Sequence, residues 1–258
     1  MDIKLVEEFQ LDWHLEGKSK QTAKNYALDL RKFLTENENP TLVQAKAWIL
    51  KIESNVGRRK RGQAIRAFGR WLGNQGIDGF EWHKQVPLTK EKTSPQQTAV
   101  IADYEKALSL AKSLRNKAII EVLWSSGVRR KELTEIRVQD IDYGGGYIVV
   151  RQSKTGKPRI VPISPIARRA IRKYLCGRGA GLLFNMSSNS VRLLLKRLGA
   201  PSAHAWRRGW AVQALRNGVS ETSVRAAAGW SSGAMVARYT RALSGELAVE
   251  EFQRSWVQ

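Results

Sequence analysis

Acidic side chains are scarce in this chain. Its 258 residues carry 23 Asp and Glu against 44 Lys and Arg, a formal net charge of +21. Solubility needs far less, so the excess points to a polyanionic partner and away from cationic ligands. Cysteine is nearly absent. The lone Cys176 cannot close an internal disulfide, and with only three histidines it makes a poor zinc set. No acidic cluster offers a two-metal site, so neither metal nor cofactor is expected. No apolar run approaches the ~18 residues of a membrane span. The opening MDIKLVEEFQ has no basic region followed by an apolar one, so no signal peptide is expected. The cytoplasm, a reducing compartment, is the expected location, with no membrane partner. Repeats and low-complexity segments are missing too.

The charge is uneven. Residues 1–40 hold 6 basic and 8 acidic side chains, residues 41–90 hold 10 and 3, and residues 91–258 hold 28 and 12. The first helices therefore need not face the anion. Apolar spacing predicts helices over 3–17 (Leu5, Val6, Phe9, Leu11, Trp13), over 20–35 (Tyr26, Leu28, Leu30, Phe33), from Thr41 (Val43, Ala47, Ile49, Leu50) and over 57–75. The fourth sets Ala64, Ile65, Phe68, Trp71 and Leu72 against a basic side of Arg58, Arg59, Lys60, Arg61, Arg66 and Arg70. A small bundle over residues 1–84 follows. The stretch 85–98 contains two prolines and little periodicity and reads as a linker. The second domain, 99–258, is mainly helical. YIVVR and PRIVPI form a β-hairpin in it, Pro165 opens a helix, and helices follow near 188–199, 203–216 and 221–228.

Four stretches carry chemistry. In SSGVRRKELTEI (125–136) a helix stops at Gly127, and Arg129 sits in the junction three residues before Glu132. A guanidinium fork suits a phosphate edge, and Glu132 could hold it in place. The hairpin SKTGKPR carries Lys154 at its tip, with Lys157 and Arg159 nearby. HAWRRGWAV puts His204 and Arg207 on one helix face, anchored by Trp206, Trp210 and Val212. AGWSSGAMVARYT sets Trp230 before a turn and Tyr239 beside Arg238. Each has a structural reading of its own: an ion pair, a solvated turn, a core histidine, two core aromatics. Together they suit a phosphodiester, with donors for its oxygens, an acid for the leaving oxygen, and a tyrosine that packed arginines help to ionise.

These four stretches, in this order, resemble the tyrosine recombinases, the phage integrase family. The resemblance covers residues near 98–245 well, and KSKQTAKNYALDLRKFL within 1–84 is similar to the family's core-binding domain. It implies a two-domain, mainly α fold: an N-terminal helical bundle (a SAM-like core-binding domain) and a C-terminal mixed α/β catalytic domain with a small antiparallel sheet. It implies that Arg129 and Arg207 contact the scissile phosphate and that Glu132 supports that site. Lys154 matches the general acid toward the 5′ oxygen, and His204 an acid–base group. Tyr239 matches the nucleophile of a 3′-phosphotyrosyl link. Trp230 stands where many members have histidine, and a minority, the Cre-like ones among them, also carry tryptophan there. An indole donates a hydrogen bond but exchanges no proton near pH 7. Arg208 stands where many have a second histidine. With Arg58, Arg59, Lys60, Arg61, Arg66, Arg70, Lys157 and Arg159 it makes up the expected DNA-contacting set.

The implied partners are double-stranded DNA with specific core sites and further copies of the chain, monomeric when free and tetrameric in synapsis. Accessory DNA-bending proteins stay an open partner. No arm-binding domain like that of larger phage integrases is expected in these 258 residues, and the resemblance then implies a simple recombinase that integrates or excises a mobile element. In segment 246–258, Phe252 and Trp256 are expected to dock on a neighbouring protomer, with packing in cis as the alternative. Two rivals share the sequence features: a type IB topoisomerase-like nicking-closing enzyme and a DNA-binding protein without catalysis.

Overall fold

Side-chain hydroxyls decide where most of the helices begin. In a computed structural model that describes residues 2–90, 97–151, 158–233, 236–237 and 244–256, the chain divides into two compact units, Met1–Ser94 and Pro95–Gln258. The first unit contains α1 (Lys4–Leu15), α2 (Lys20–Glu36), α3 (Leu42–Leu50) and α4 (Asn55–Asn74). Ser19 and Ser54 cap α2 and α4, accepting from Thr22 and Gly57 N–H. Thr41 and Gln44 form a reciprocal capping box at α3. The core joins Val6, Phe9, Leu30, Phe33, Trp48, Ile65, Phe68 and Leu72. Phe9 meets Phe68 edge to face, with centroids 5.5 Å apart.

The apolar faces differ from the expected ones at five positions. Leu11, Leu28, Val43, Ala47 and Leu50 are exposed, while Ala45 and Trp48 carry the buried side of α3. In a nine-residue helix a small shift of the stripe exchanges which residues face inward. The basic side of α4 is a second difference. Arg58 Nε donates to the Ile52 carbonyl at 2.6 Å, Arg59 to Thr89 at 3.1 Å, and Arg66 to Val86 and Lys84 at 2.8 and 3.0 Å. Arg61 donates to Trp48 O and lies 3.8 Å over the Trp48 ring. Four of the six expected DNA contacts are thus part-buried staples that satisfy chain-end and loop carbonyls. Lys60 and Arg70 are the exposed members.

The second unit is built around α6 (Leu114–Ser126), which is buried on nearly every side and packs against α5 (Ile101–Leu110), α8 (Pro165–Leu175) and α10 (Ala203–Arg216). Glu121 on α6 is buried and accepts the Tyr104 hydroxyl at 2.9 Å. A three-stranded antiparallel sheet has the order β1 (Ile141–Asp142), β2 (Tyr147–Val150), β3 (Arg159–Pro162). Val150 pairs with Arg159 and Ile148 with Val161. The two-residue β1 is too short to leave a pattern in the sequence. α7 (Arg130–Glu135), α9 (Ser188–Arg197), α11 (Glu221–Ala228) and α12 (Ser244–Trp256) complete the unit. α12 packs against α10, and its Phe252 and Trp256 are 62% and 76% exposed. The observed fold is the expected one at the coarse level: a helical first region and a mixed α/β second domain with a small antiparallel sheet. Among the described residues no helix is long and apolar enough to cross a membrane.

Candidate active site

The turn between α6 and α7 is shaped by Gly127, whose φ is +58°. A Cβ there would stand 2.4 Å from the Trp210 ring, so this position needs glycine for both conformation and space. The turn delivers Arg129 to the start of α7. Glu132, in the first turn, reaches back: Oε2 accepts Arg129 N–H at 2.8 Å, and Oε1 accepts Arg129 Nη1 at 2.7 Å. Acidic residues favour a helix start because unpaired N–H groups and the positive dipole end lie there.

Arg159 closes on the same carboxylate. Nη1 and Nη2 bind Oε1 and Oε2 at 2.9 and 2.7 Å in a fork, and Nε donates to the Ala227 carbonyl at 2.8 Å. Burial opposes the ionised form of Glu132. The hydrogen bonds from Arg159 and from Arg129 outweigh it and push the pKa down to about 2. The expectation that Arg159 faces the DNA is therefore corrected: its side chain is 8% exposed and wholly engaged inside the protein. The signal was present in strand parity. Residues 159, 161 and 163 share one face, and Val161 and Ile163 are buried.

α10 supplies the next two groups, and Ser202 caps it. Arg207 is only 2% exposed. Nη1 donates to Gly127 O at 2.7 Å and Nη2 to Ala228 O. Its guanidinium also lies 5.1 Å from the centre of the Trp230 ring. Trp230 packs with Trp210, Val224 and Val236 in a small separate core. The last carbonyls of α11 are thus each capped by an arginine, Ala227 by Arg159 and Ala228 by Arg207, just before Gly229 turns the chain at φ +64°. His204, one turn before Arg207, is exposed. Desolvation, then the charges of Arg208, Arg207, Arg129 and Arg130, lower its pKa and favour the neutral ring.

Arg208 departs from its expected place as well. It is buried, and Nε and Nη2 donate to the Gln97 carbonyl. Ala99 N–H donates to Ala205 O at 3.0 Å, so residues 97–99 lie along α10. A helix-facing arginine cannot be told from a DNA-facing one without knowing what crosses the helix.

The fold therefore gathers Arg129, Glu132, His204, Arg207 and Trp230 from three separate segments. Lys154, Lys157 and Tyr239 lie outside the described residues. Among the described residues no group of His, Cys, Asp and Glu assembles as a metal site. What sequence reading missed is Arg159 as Glu132's partner and the buried Tyr104–Glu121 pair.

A model of the phage integrase family matches residues 96–246. The tyrosine recombinase XerA of Pyrococcus horikoshii is 27% identical over 260 residues, covering 94% of this chain and 90% of that one. The tyrosine recombinase XerC of Pelobacter propionicus is 36% identical over 137 residues, covering 50% of this chain and 43% of the relative. Among solved structures, a lambda integrase dimer bound to a COC′ core site aligns with a TM-score of 0.75 at 18% identity, over 92% of this chain and 76% of that one. XerA recombinase aligns at 0.54 and 22%, over 98% of both chains. At these identities the structural likeness establishes the fold. With more than half of its length matched by the family model, the chain belongs to the phage integrase family, the tyrosine recombinases, whose shared activity is the cleavage and rejoining of DNA strands.

Proposed function

We propose that this protein is a site-specific DNA recombinase that cuts and rejoins strands through a 3′-phosphotyrosyl intermediate formed by Tyr239. The observation that carries the reading is the constellation of Arg129, His204 and Arg207 around Glu132 and Trp230. Arg129 and Arg207 supply fixed positive charge to the non-bridging oxygens of a scissile phosphate as charge grows there. The hydroxyl of Tyr239 attacks phosphorus, the 3′ oxygen stays bonded to it, and the 5′ oxygen leaves with a proton from Lys154. His204, held neutral, takes the tyrosine proton and returns it on rejoining. Trp230 packs on Arg207 and donates from its indole N–H.

Four of the other tyrosines are poor alternatives. Burial raises the Tyr26, Tyr104 and Tyr143 hydroxyls, and for Tyr104 the hydrogen bond to Glu121 adds to it, up to about 12. The bond to Asp142 raises Tyr147. A raised pKa leaves less of the nucleophilic phenolate.

The bundle of residues 1–84 acts as a SAM-like core-binding domain, 85–98 as the linker, and 99–258 as the catalytic domain. Lys60 and Arg70, exposed on α4, make the first phosphate contacts there. Exposed Phe252 and Trp256 dock on a neighbouring protomer in a tetramer on DNA. The likeness to lambda integrase, a dimer bound to a core site, supports short core sites as substrate. The role is integration or excision of a mobile element.

The test incubates the protein with a randomised duplex library and sequences the junctions of covalent adducts. End-labelled nicked duplexes of the recovered site are then resolved on denaturing gels. The wild type should give a protein–DNA adduct and Tyr239→Phe none, with site binding intact. An adduct from Tyr239→Phe at the wild-type rate would overturn the assignment. Relaxation of a supercoiled plasmid lacking the site would mark the topoisomerase-like rival.

A further inference from the structure

Arg159 is a charged side chain that the proposed chemistry does not use, yet its guanidinium is held by three hydrogen bonds inside the protein. It is fixed at three points by main chain and side chain: both Glu132 oxygens and the Ala227 carbonyl. A Cβ on Gly229 would stand 2.9 Å from its Cδ, so the turn before Trp230 is folded directly against it. Burial at 8% exposure leaves no face for a phosphate.

We infer that Arg159 is a positioning residue for the cleavage reaction, joining the Arg129–Glu132 pair to the C-terminal end of α11 and thereby aligning Arg129 with Trp230. This rests on the recombinase reading above. Three elements meet at its guanidinium: β3, which contains it, α7, which carries Glu132, and α11, whose last turn leads into Gly229 and Trp230. Glu132 is shared by two arginines, and each of its oxygens accepts from both residues. Removing Arg159 leaves Arg129 as the carboxylate's only close partner among these two. The Arg129 fork is then free to turn fully onto Glu132, away from a phosphate. The same loss uncaps Ala227 and loosens the turn that presents Trp230. A planar fork is required for this geometry, and a lysine ammonium can reach one carboxylate oxygen but not both plus a carbonyl.

A residue that binds DNA and a residue that positions others predict opposite splits. Removing a side chain that holds a backbone phosphate lowers affinity and reduces the salt slope by about 1. Removing a positioning residue leaves affinity and slope in place and slows the chemical step at saturating DNA, by about 10²-fold for an ångström of misplacement. Arg159→Gln and Arg159→Lys are compared with the wild type in single-turnover cleavage of the nicked core-site duplex, at saturating protein, with thermal melts alongside. Affinity should stay near the wild-type value, cleavage should fall by about 10²-fold for Gln, and Lys should recover part of it. In the Glu132→Gln background the Arg159 substitution should cost far less than in the wild type, because both act on one unit.

Wild-type cleavage at saturation by both variants overturns the inference, as does a loss that is independent of Glu132. Should Arg159→Gln fail to fold, Arg159→Lys and the double variant Arg159→Gln/Glu132→Gln carry the same comparison. Should the wild type give no adduct on any duplex, the recombinase reading falls by itself. The positioning role is then judged by the NMR signals of the Trp230 indole and the Gly229 amide in Arg159→Lys. They should move, and unmoved signals overturn it.

Discussion

Both units are rich in arginine, and they use it in different ways. In the first unit, Arg58, Arg59, Arg61 and Arg66 each reach a backbone carbonyl of a helix end or a following loop. Among the described residues no salt bridge joins these four to a carboxylate, although the Arg61 charge acts on half-buried Asp29. In the second unit Arg129 and Arg159 converge on one buried carboxylate, while Arg159 and Arg207 cap adjacent carbonyls of one helix end. The first arrangement is a set of independent staples, each with its own partner. The second is a connected network in which moving one member moves the others. Fixed donors of that kind are what a charged transition state needs, because they cost no reorganisation when charge develops. Net charge is concentrated in the second unit, but charge alone does not tell a staple from a network.

The broadest way to break this contrast is salt. If both units present a positive surface to DNA, affinity for the core-site duplex should fall by about 10³–10⁵ between 50 and 200 mM salt for ~6–10 phosphate contacts. Fluorescence anisotropy across that range measures it, and a nearly flat response would mean that the internal partners consume the charge.

Next in size is a pair of arginine deletions. Arg207→Ala should slow single-turnover cleavage by about 10²-fold or more, since it removes charge at the transition state. It also leaves the Gly127 and Ala228 carbonyls without these donors. Arg61→Ala should instead lower the melting stability of the first unit by about 1–3 kcal/mol, the usual cost of a carbonyl left without its donor. A cleavage defect for Arg61→Ala as deep as that for Arg207→Ala would erase the distinction between staple and network.

Much of this arrangement was legible in the sequence. Hydroxyls at Ser19, Thr41, Ser54, Ser164 and Ser202 cap helix starts through a local rule, of which the apolar spacing marks only Thr41. The left-handed stop at Gly127 is equally local. Arg129 with Glu132, and His204 with Arg207, are close in sequence, so helix geometry alone sets them together. Arg159 and Glu132 are 27 residues apart, and Arg208 and Gln97 are 111 apart. Those pairings depend on which strand and which loop cross the helix. Strand parity hinted that Arg159 turns inward, but no sequence rule names what waits there. Leu11, Leu28, Val43 and Leu50 illustrate the same limit from the apolar side. A surface leucine at a core-like spacing looks identical to a buried one until the neighbouring helix is in place.

Acid should separate the units further. Glu132 has its pKa pushed down to about 2, below the ordinary 4.5. A carboxylate with a depressed folded-state pKa contributes stability above its unfolded value and loses it as pH falls through the folded one. The second unit should therefore lose about 3 kcal/mol between pH 4.5 and 2 from this group. Glu132→Gln should flatten that part of its melting profile, which pH-resolved calorimetry reads directly. A profile unchanged by the substitution would remove Glu132 as the hub of the network. His204 works in the same direction: its depressed pKa means that protonation on acidification also disfavours the folded state.

The smallest expected effect lies where the network meets an aromatic. Arg207 sits 5.1 Å from the centre of the Trp230 ring, and Trp230 packs on Trp210 and Val236. Phenylalanine keeps a ring for the guanidinium but offers a weaker face and no N–H. Weakening a cation–π interaction costs about 0.5–1 kcal/mol, and losing a hydrogen bond about 1 kcal/mol. Together they predict about a tenfold slower cleavage for Trp230→Phe, with DNA affinity near the wild-type value. Histidine at the same position restores a donor but fills less of the small core, so Trp230→His should recover part of the rate while lowering the melting temperature. Single-turnover cleavage and thermal melts on the two variants separate these contributions. Equal rates for Trp230→Phe and the wild type would assign Trp230 to packing alone, and the network would then end at Arg207.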